Sequence, residues 1–513
     1  MENAPVLASE PVKATRKEWL GLIVIALPCM LYSMDLTVLN LAVPQLSADL
    51  QPTGNQLLWI MDIYGFLVAG FLITMGNLGD RIGRRKLLLI GAAFFGLASL
   101  FAAFAQSANI LIFARAILGI AGATIAPSTL SLIRNMFPDP EERTKAIGIW
   151  AMGYAAGGAV GPIVGGVMLQ YFWWGSVFLI GIPVMLLLLI AGPYLLPEFK
   201  DPAARRLDIA SAFLSLIAVL LIIFGLKQIA TNGFNWRWLT SIAAGLITGV
   251  IFFRRQKQLN DPLIDISLFR IPAFSASLTI YGMGCFVMFG SFFFIYQYMQ
   301  LGLGLSPLAA GLWALPSFTG FILGATHGPK LLRIFSPGKL MALGLCLAIA
   351  GFLVIAQLTA QSSVWMVVAA MFLTSVGFAP VVTLATDLVV GSAPPERAGS
   401  ASAISETSAE FGGATGMAIF GSLGTAIYVR LMSRESIPAQ ASEKSLETFG
   451  GAVNEAAALP AEQGKALIIA AQNAFGTGMQ VSAWVSVLFL LVLVVVALKK
   501  VGGQKTGNNA VES

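Results

Sequence analysis

Long apolar tracts separated by short polar loops run through almost the whole chain. A helix needs about 20 apolar residues to cross the hydrocarbon layer of a membrane, which is about 30 Å thick. Inside that layer every backbone group must find its hydrogen bond within the protein, so helices are the natural spanning elements. The chain contains fourteen tracts of roughly this length. The sequence therefore predicts an all-α, polytopic membrane protein with fourteen transmembrane helices.

The predicted spans are numbered in chain order. They are Leu20–Leu41, Leu57–Leu78, Leu87–Ala105, Ile110–Leu132, Ala146–Leu169, Val177–Leu196, Ile209–Ile229, Trp236–Phe253, Ala273–Met299, Pro307–Leu331, Leu340–Thr359, Val364–Val390, Ala401–Tyr428 and Met479–Leu498. The polar segment Met1–Glu18 lacks the cleavage site of a signal peptide, and we expect none to be removed. The longest loop, Met432–Gly478, contains the apolar stretch Ala466–Phe475 and predicts a helical hairpin lying on the membrane surface.

Charge placement predicts the orientation. Only 11% of the residues are charged and 57% are hydrophobic, whereas a soluble domain is about 25% charged. Most basic residues lie at the termini and in the loops on their side: Lys13, Arg16, Lys17, Arg81, Arg84, Arg85, Lys86, Arg143, Lys145, Arg205, Arg206, Arg254, Arg255, Lys330, Arg333, Arg397, Lys499 and Lys500. We assign to the opposite side only Lys227, Arg237, Arg430, Arg434, Lys444 and Lys465. By the positive-inside rule both termini are cytoplasmic. This bias accounts for the net charge of +6 without a nucleic-acid partner.

An internal repeat relates spans 5 and 13. Pro140-Glu-Glu-Arg143 precedes span 5, and Pro394-Pro-Glu-Arg397 precedes span 13. Glycine clusters beginning at Gly157 and Gly412 follow, at an offset of about 255 residues. The alternative is a chance likeness between glycine-rich helices. Because the two spans are an even number apart, the repeats run parallel through the membrane.

Two parallel six-helix halves around a central cavity resemble the major facilitator architecture. Spans 7 and 8 then form an inserted pair. The expected segments are a cytoplasmic tail at 1–18, an N-terminal six-helix bundle at 19–197 and the inserted helices at 198–260. A C-terminal bundle at 261–500, which includes the external loop 432–478, and a tail at 501–513 complete the chain.

Two glycine-containing motifs indicate places where the fold is tight. Between spans 2 and 3 stand Gly76, Asp80, Arg81, Gly83 and Arg84, where glycine allows a tight turn and Asp80 can pair with the basic cluster at the cytoplasmic rim. Span 5 carries Gly148, Gly157, Gly161, Pro162, Gly165 and Gly166. Small residues let helices approach closely in lipid, and Pro162 can kink the helix. Helix packing without any role in rearrangement is the alternative for each glycine.

These motifs carry a family resemblance. The loop resembles the major facilitator signature, the span 5 motif resembles the family's antiporter motif, and the stretch from Asp35 to Pro44 resembles a signature of fourteen-span drug/proton antiporters. Overall the chain is similar to the quaternary-ammonium and multidrug exporters of the QacA and SmvA types. The resemblance implies proton-driven efflux of lipophilic organic cations, such as quaternary ammonium compounds, dyes and biocides, across the inner membrane of a bacterium. It associates Arg115 with proton coupling.

Charged residues inside spans are candidate functional residues, because they are costly there. Asp35 lies near the middle of span 1. Asp62 lies near the outer end of span 2, and the alternative to a functional role is that its side chain simply reaches the outer membrane interface. Glu406 and Glu410 in span 13 share one helix face, where the repeat places alanines in span 5. We identify Arg115, in span 4, as the only basic residue well inside a span.

Roles follow from this placement. Burial favours the protonated form of a carboxyl group, and a second carboxyl nearby favours it further. We expect Asp35 to couple protons, together with Arg115, whose part in coupling is what the family resemblance implies. Glu406 and Glu410, with Asp62, are expected to bind the cation.

Aromatic rings attract organic cations. Trp150 and Tyr154 are the candidates here, although most rings in such a chain pack helices or lie at the interfaces.

Other function classes fit less well. A proton-coupled symporter, or an exporter of another small amphipathic metabolite, uses the same fold. A membrane enzyme is not indicated, because no metal-ligand cluster, nucleotide loop or nucleophile–base pair appears. We expect no cofactor, since the proton gradient supplies the energy. We expect the protein to function as a monomer.

Overall fold

The computed structural model describes residues 13–200, 208–259, 262, 264, 266–392, 398–433 and 447–501. Fourteen helices in this part of the chain are long and apolar enough to cross a membrane, which confirms the predicted all-α, fourteen-span fold. They are α1 Arg16–Leu50, α2 Gly54–Ile82, α3 Arg84–Ala103, α4 Ala108–Met136, α5 Pro140–Tyr171, α6 Ser176–Leu195, α7 Ile209–Asn232, α8 Trp236–Gln258, α9 Pro272–Gln297, α10 Pro307–His327, α11 Pro337–Ile355, α12 Val364–Gly391, α13 Ala398–Met432 and α15 Ala461–Val496, with a short helix α14 at Phe449–Ala458. Helices α4 and α6 are interrupted after Gly122 and Leu179.

An even number of crossings brings the first and last described residues to the same side of the bundle. We call this side the terminal face and the opposite side the distal face. Odd-numbered helices up to α13 run from the terminal to the distal face, even-numbered helices up to α12 run back, and α15 returns the chain to the terminal face. The signature loop between α2 and α3 lies at the terminal face.

The repeat appears as two equivalent helix seams. Helix α5 packs along α1, and α13 packs along α9. A Cβ atom at Gly157 would overlap the carbonyl oxygen of Met30, and one at Gly412 would overlap that of Gly282. Close approach of this kind requires glycine, because any side chain would push the helices apart. Each half thus contains the same seam.

The two halves meet through α5 with α10 and through α2 with α13. A Cβ atom at Gly166 would lie 2.8 Å from the Cα atom of Leu308. On the other side of the bundle, a Cβ atom at Gly65 would lie 3.1 Å from that of Ala414, and Gly421 abuts Leu58. These contacts lie between the centre of the bundle and the distal face, so the halves are joined on the distal side.

The inserted pair lies against the junction of the two halves. Helix α7 packs on both α2 and α13, and α8 packs on α7. At the terminal face the Arg255 Nη2 atom lies 2.9 Å from Asp208 Oδ1, which ties the two inserted helices together. Between α2 and α13, Ile223 packs with Phe66 and Ala418.

The distal segment differs from the predicted surface hairpin. The stretch Ala466–Phe475 belongs to α15, which is one continuous helix from Ala461. It is held there by packing, since the Phe475 and Phe449 ring centroids are 5.0 Å apart. Helix α14 covers the distal end of α1, where Asn454 Nδ2 donates to the Ala48 carbonyl oxygen at 3.4 Å. Arg434 and Lys444 lie outside the described residues, as do the loop residues 393–397 of the repeat.

The glycines of the span 5 motif fall on different surfaces. Gly157, Gly161 and Gly165 face α1, whereas Gly166 faces α10. Pro162 lies within α5, and its carbonyl oxygen is covered by Gly311 of α10. A Cβ atom at Gly148 would meet nothing within 4 Å. The motif therefore contains packing glycines and one glycine in open space.

This difference predicts opposite results for one substitution at two glycines of α5. Gly157→Ala should destabilise the protein by about 1–3 kcal/mol, the usual cost of overpacking a tight contact. Gly148→Ala should be neutral or slightly stabilising, because alanine favours helix by about 0.5–1 kcal/mol over glycine. Thermal unfolding of the purified proteins in one detergent measures both. Equal melting temperatures for the two variants would contradict the seam.

Candidate transport site

The signature loop forms a charged turn at the terminal face. Asp80 Oδ1 lies 2.6 Å from Arg84 Nη2, and Arg84 also donates to the Pro127 carbonyl oxygen at 3.3 Å. Gly83 has φ +112°, a conformation that favours glycine, and the Glu198 carboxylate lies directly beside it. The ion pair expected from Asp80 is present, and it holds the start of α3 against α2. Arg81 is exposed, and Gly76 makes only an ordinary contact.

Asp35 and Arg115 form an ion pair between α1 and α4. Arg115 Nη1 lies 2.6 Å from Asp35 Oδ2, and Arg115 Nε donates to the Ile60 carbonyl oxygen at 3.1 Å. The arginine is 1% exposed. Asp35 also lines a narrow cavity of about 20 Å³ between α1, α3 and α6, together with Ser99. That volume is enough for one water molecule.

Asp62 is paired rather than open to a substrate. Its Oδ2 atom lies 2.6 Å from Lys227 Nζ of α7, and the two side chains are 0% and 1% exposed. The Lys227 ammonium group also lies 3.9 Å from the centre of the Trp59 ring. Lys227, which charge placement assigned to the side opposite the termini, is buried within α7. Arg115 is buried inside a span as predicted, but it is therefore not the only such base. Asp62 does not reach the interface.

A chain of contacts leads from Asp35 across the bundle to α13. The Arg115 guanidinium group lies 4.8 Å from the Tyr64 ring centre, and the Tyr64 and Tyr32 ring centres are 6.0 Å apart. The Tyr32 hydroxyl donates to Glu410 Oε1 at 2.6 Å. This hydrogen bond joins the two halves at the centre of the bundle.

Glu406 and Glu410 are the two acids in the interior of α13. Among the described residues no basic side chain forms an ion pair with either. Glu410 faces α1 through Tyr32, and Glu406 lies one turn nearer the terminal face on the same side of α13, where it is exposed. Because the halves are joined on the distal side, Glu406 opens towards the terminal face.

The two aromatic candidates form a row of rings with Tyr32, the tyrosine that binds Glu410. The Tyr154 ring centre is 5.9 Å from that of Tyr32, and Trp150 stacks on Tyr154 at 6.5 Å. The Trp150 Nε1 atom donates to Cys29 Sγ at 2.9 Å and is 3.1 Å from Thr129 Oγ1. Trp150 is therefore anchored by its indole nitrogen, and Tyr154 lies between Trp150 and Tyr32.

Sequence reasoning missed Tyr32, Tyr64 and Lys227. Tyr32 lies one helical turn before Asp35, and that i, i+3 spacing was a usable signal for a shared polar face. Lys227 lies inside the predicted seventh span, which already indicated a buried charge that needs a partner. For Tyr64 the single sequence holds no comparable signal.

Comparison with known proteins identifies relatives along the whole chain. The Major Facilitator Superfamily model matches residues 25–417. The multidrug efflux pump LfrA of Mycolicibacterium smegmatis is 39% identical over 96% of this chain and 97% of its own length. The methyl viologen resistance protein SmvA of Salmonella typhimurium is 35% identical over 90% and 93%.

A more distant relative and a solved structure extend the comparison. The tetracenomycin C resistance and export protein of Streptomyces glaucescens is 30% identical over 96% of this chain and 93% of its own. A crystal structure of a bacterial homolog of the human lysosomal transporter Spinster, in an inward-facing, unoccupied conformation, has the same fold. It aligns at a TM-score of 0.67 and 18% identity over 96% of this chain and 100% of that one. The chain belongs to the Major Facilitator Superfamily of membrane transporters.

Proposed function

We propose that the protein is a proton-coupled antiporter that exports lipophilic organic cations across the cytoplasmic membrane of a bacterium. The observation that carries the proposal is the charge distribution around the central helices. Asp35 and Asp62 are neutralised by Arg115 and Lys227. Glu406 and Glu410 have no such base among the described residues, so the second half offers the negative charge that a cation needs.

Exchange at these carboxyl groups accounts for coupling. A protonated carboxylic acid releases its proton when a cation binds to the carboxylate, and the cation leaves when the proton returns. Each bound cation then replaces one proton at the same oxygen atoms. Because one proton enters for each monovalent cation that leaves, no net charge crosses the membrane and the pH gradient drives the export. A tenfold difference in proton concentration supplies about 1.4 kcal/mol.

The aromatic groups fit a flat organic cation. Tyr32 and Tyr154 lie beside Glu410 and can present ring faces to a cation, a contact worth about 0.5–2 kcal/mol. Trp150 stacks on Tyr154 and holds its ring in place. The names of LfrA and SmvA, which denote multidrug efflux and methyl viologen resistance, support this substrate class.

Asp35 with Arg115 is assigned a second part in proton coupling, beside the exchange at Glu406 and Glu410. Asp35 lies beside a water-sized cavity and is linked through Arg115, Tyr64 and Tyr32 to Glu410. A proton on Asp35 would weaken its hold on Arg115 and so alter the charge facing Tyr64. The concentration of arginine and lysine at the terminal face supports a cytoplasmic position of both termini.

Export of a different amphipathic molecule is the second candidate. It is favoured by the likeness to the tetracenomycin C export protein. The two candidates differ in their need for a positive charge on the substrate.

The test is proton release from energised everted vesicles. When ethidium is added, the acidified lumen should lose protons because each entering cation replaces one, and a fluorescent pH probe records the rise in luminal pH. Vesicles without the protein are the control. Tetracenomycin C should give no signal. A response to the neutral compound alone, or ethidium transport that a protonophore leaves unchanged, would contradict cation/proton exchange.

The acidic pair of α13 should set the pH dependence of binding. Wild-type protein should release bound ethidium as the pH falls, because protons compete for the same oxygen atoms. The double variant Glu406→Gln, Glu410→Gln keeps the side-chain shapes but should bind at least tenfold more weakly and with little dependence on pH. Fluorescence titration of purified protein measures this. Glu462→Gln, an exposed position on α15, is the matched control and should behave as wild type.

Asp35→Asn should separate coupling from binding. The variant should lose proton-driven efflux while ethidium binding to folded protein is retained. It should also lower stability, since it leaves Arg115 buried without its partner, a change that typically costs about 3–5 kcal/mol. Asp49→Asn, on the exposed distal end of α1, is the control. Normal proton release by Asp35→Asn in everted vesicles would remove Asp35 from the coupling mechanism.

A further inference from the structure

The Asp62–Lys227 pair is the only ion pair found between an inserted helix and either half among the described residues. It lies in the distal half of the bundle, and neither side chain is more than 1% exposed. The Trp59 ring covers the ammonium group at 3.9 Å. Carboxylate and ring together form a complete site for an ammonium ion, and Lys227 of the same chain fills it.

Helix α7 contacts the two halves in different ways. Towards α2 it has the ion pair and a close approach, since a Cβ atom at Gly70 would lie 3.6 Å from the Leu216 Cβ. Apolar packing reaches both halves, since Ile223 lies in one cluster with Phe66 of α2 and with the small residue Ala418 of α13. Among the described residues, only the contact with α2 adds an ion pair to it. The contact of α7 with α2 therefore includes a specific ion pair, whereas its contact with α13 consists of apolar side chains.

This difference decides which contact survives a rearrangement. Separating a buried ion pair leaves two charges in a low-dielectric environment, which is strongly unfavourable. Apolar surfaces in a membrane have no comparable penalty, because lipid or another side chain can replace the contact. When the transport path opens at the distal face, α2 and α13 have to move apart there, and α7 cannot follow both.

The geometry assigns Lys227 and Asp62 the role of positioning residues that fix the inserted helix α7 to the first half. Helix α7 then moves with α2 as one body and slides over α13, so that it remains beside the junction of the halves. Asp62 is thereby an anchor for α7 and takes no direct part in binding the substrate or the proton. The inference rests on the proposed export only for its transport readout.

A four-protein comparison tests the anchor. Asp62→Asn and Lys227→Met each leave one buried charge alone, so both should lose thermal stability and at least tenfold of the ethidium efflux per folded protein. The double variant has no buried charge and should recover efflux to within about threefold of wild type, as neutral replacement of a buried pair is tolerated. A double variant that is folded and stable but still lacks transport would overturn the proposal, because Asp62 would then act on substrate or proton directly.

Thermal stability is measured without substrate, so this readout does not depend on the proposed function. If ethidium export is absent even in wild type, the proposed substrate class is wrong. The melting temperatures of the four proteins still show whether the charges of Asp62 and Lys227 stabilise each other. Additive losses of stability in the double variant would show that the two charges do not depend on each other, and would also overturn the proposal.

Disulfide cross-links test the movement. The Gly70→Cys, Leu216→Cys pair has a Cβ separation suited to a disulfide and should keep most efflux after oxidation in proteoliposomes. The Ile223→Cys, Ala418→Cys pair joins α7 to α13 and should block efflux until a reductant is added. Single-cysteine variants are the controls, and cleavage between the two helices followed by electrophoresis gives the cross-linked fraction. Loss of efflux when the first pair is cross-linked, or full efflux from protein in which the second pair is cross-linked, would overturn the sliding of α7 over α13.

Discussion

An unpaired charge in the hydrocarbon layer is costly, and the arrangement of the central helices follows from this constraint. Two acids lie in the interior of the first half, and each is held by one base: Asp35 by Arg115 and Asp62 by Lys227. Lys227 of α7 pairs with Asp62 on α2 itself, and Arg115 of α4 contacts both Asp35 of α1 and the Ile60 carbonyl oxygen of α2. The four charges therefore cancel in pairs and fix the positions of α1, α4 and the inserted helix α7 relative to α2.

The scaffold is duplicated, but the charges are not. Glycine at equivalent positions brings α5 onto α1 and α13 onto α9, so the two halves share their closest helix seam. On this shared frame Glu406 and Glu410 lie in the interior of α13 and form no ion pair with a base among the described residues, whereas Asp35 and Asp62 of the first half are paired. Two halves with the same packing can move against each other between two states. The interior acids Glu406 and Glu410 of the second half give the protein a binding site for a cation or a proton, whose occupancy can favour one state over the other.

The sequence predicts the parts of this protein that depend on local pattern. Span number, the parallel repeat and the turn at Gly83 follow from hydrophobic length, offset and glycine position. Contacts between side chains on different helices depend on how each helix is rotated about its axis and on which helices are neighbours. Neither can be deduced from the pattern of a single sequence. Lys227 lay near the end of its predicted span and was assigned to water, because nothing local shows that α7 turns it towards Asp62. The role of Tyr32 was hidden for the same reason, since its partner Glu410 lies on another half.

The linkages around the centre differ in strength, and this orders the events of a transport cycle. The Tyr32–Glu410 hydrogen bond joins the two halves, and a hydrogen bond to a charged group contributes about 1.5–3 kcal/mol. Each buried ion pair lies within the first half or between it and α7, and breaking one typically costs about 3–5 kcal/mol. Rearrangement of the halves therefore breaks the weaker link and leaves both ion pairs intact. Because Glu410 is one end of that weaker link, any cation or proton that occupies its carboxyl group competes with Tyr32, and ligand exchange and separation of the halves become one event.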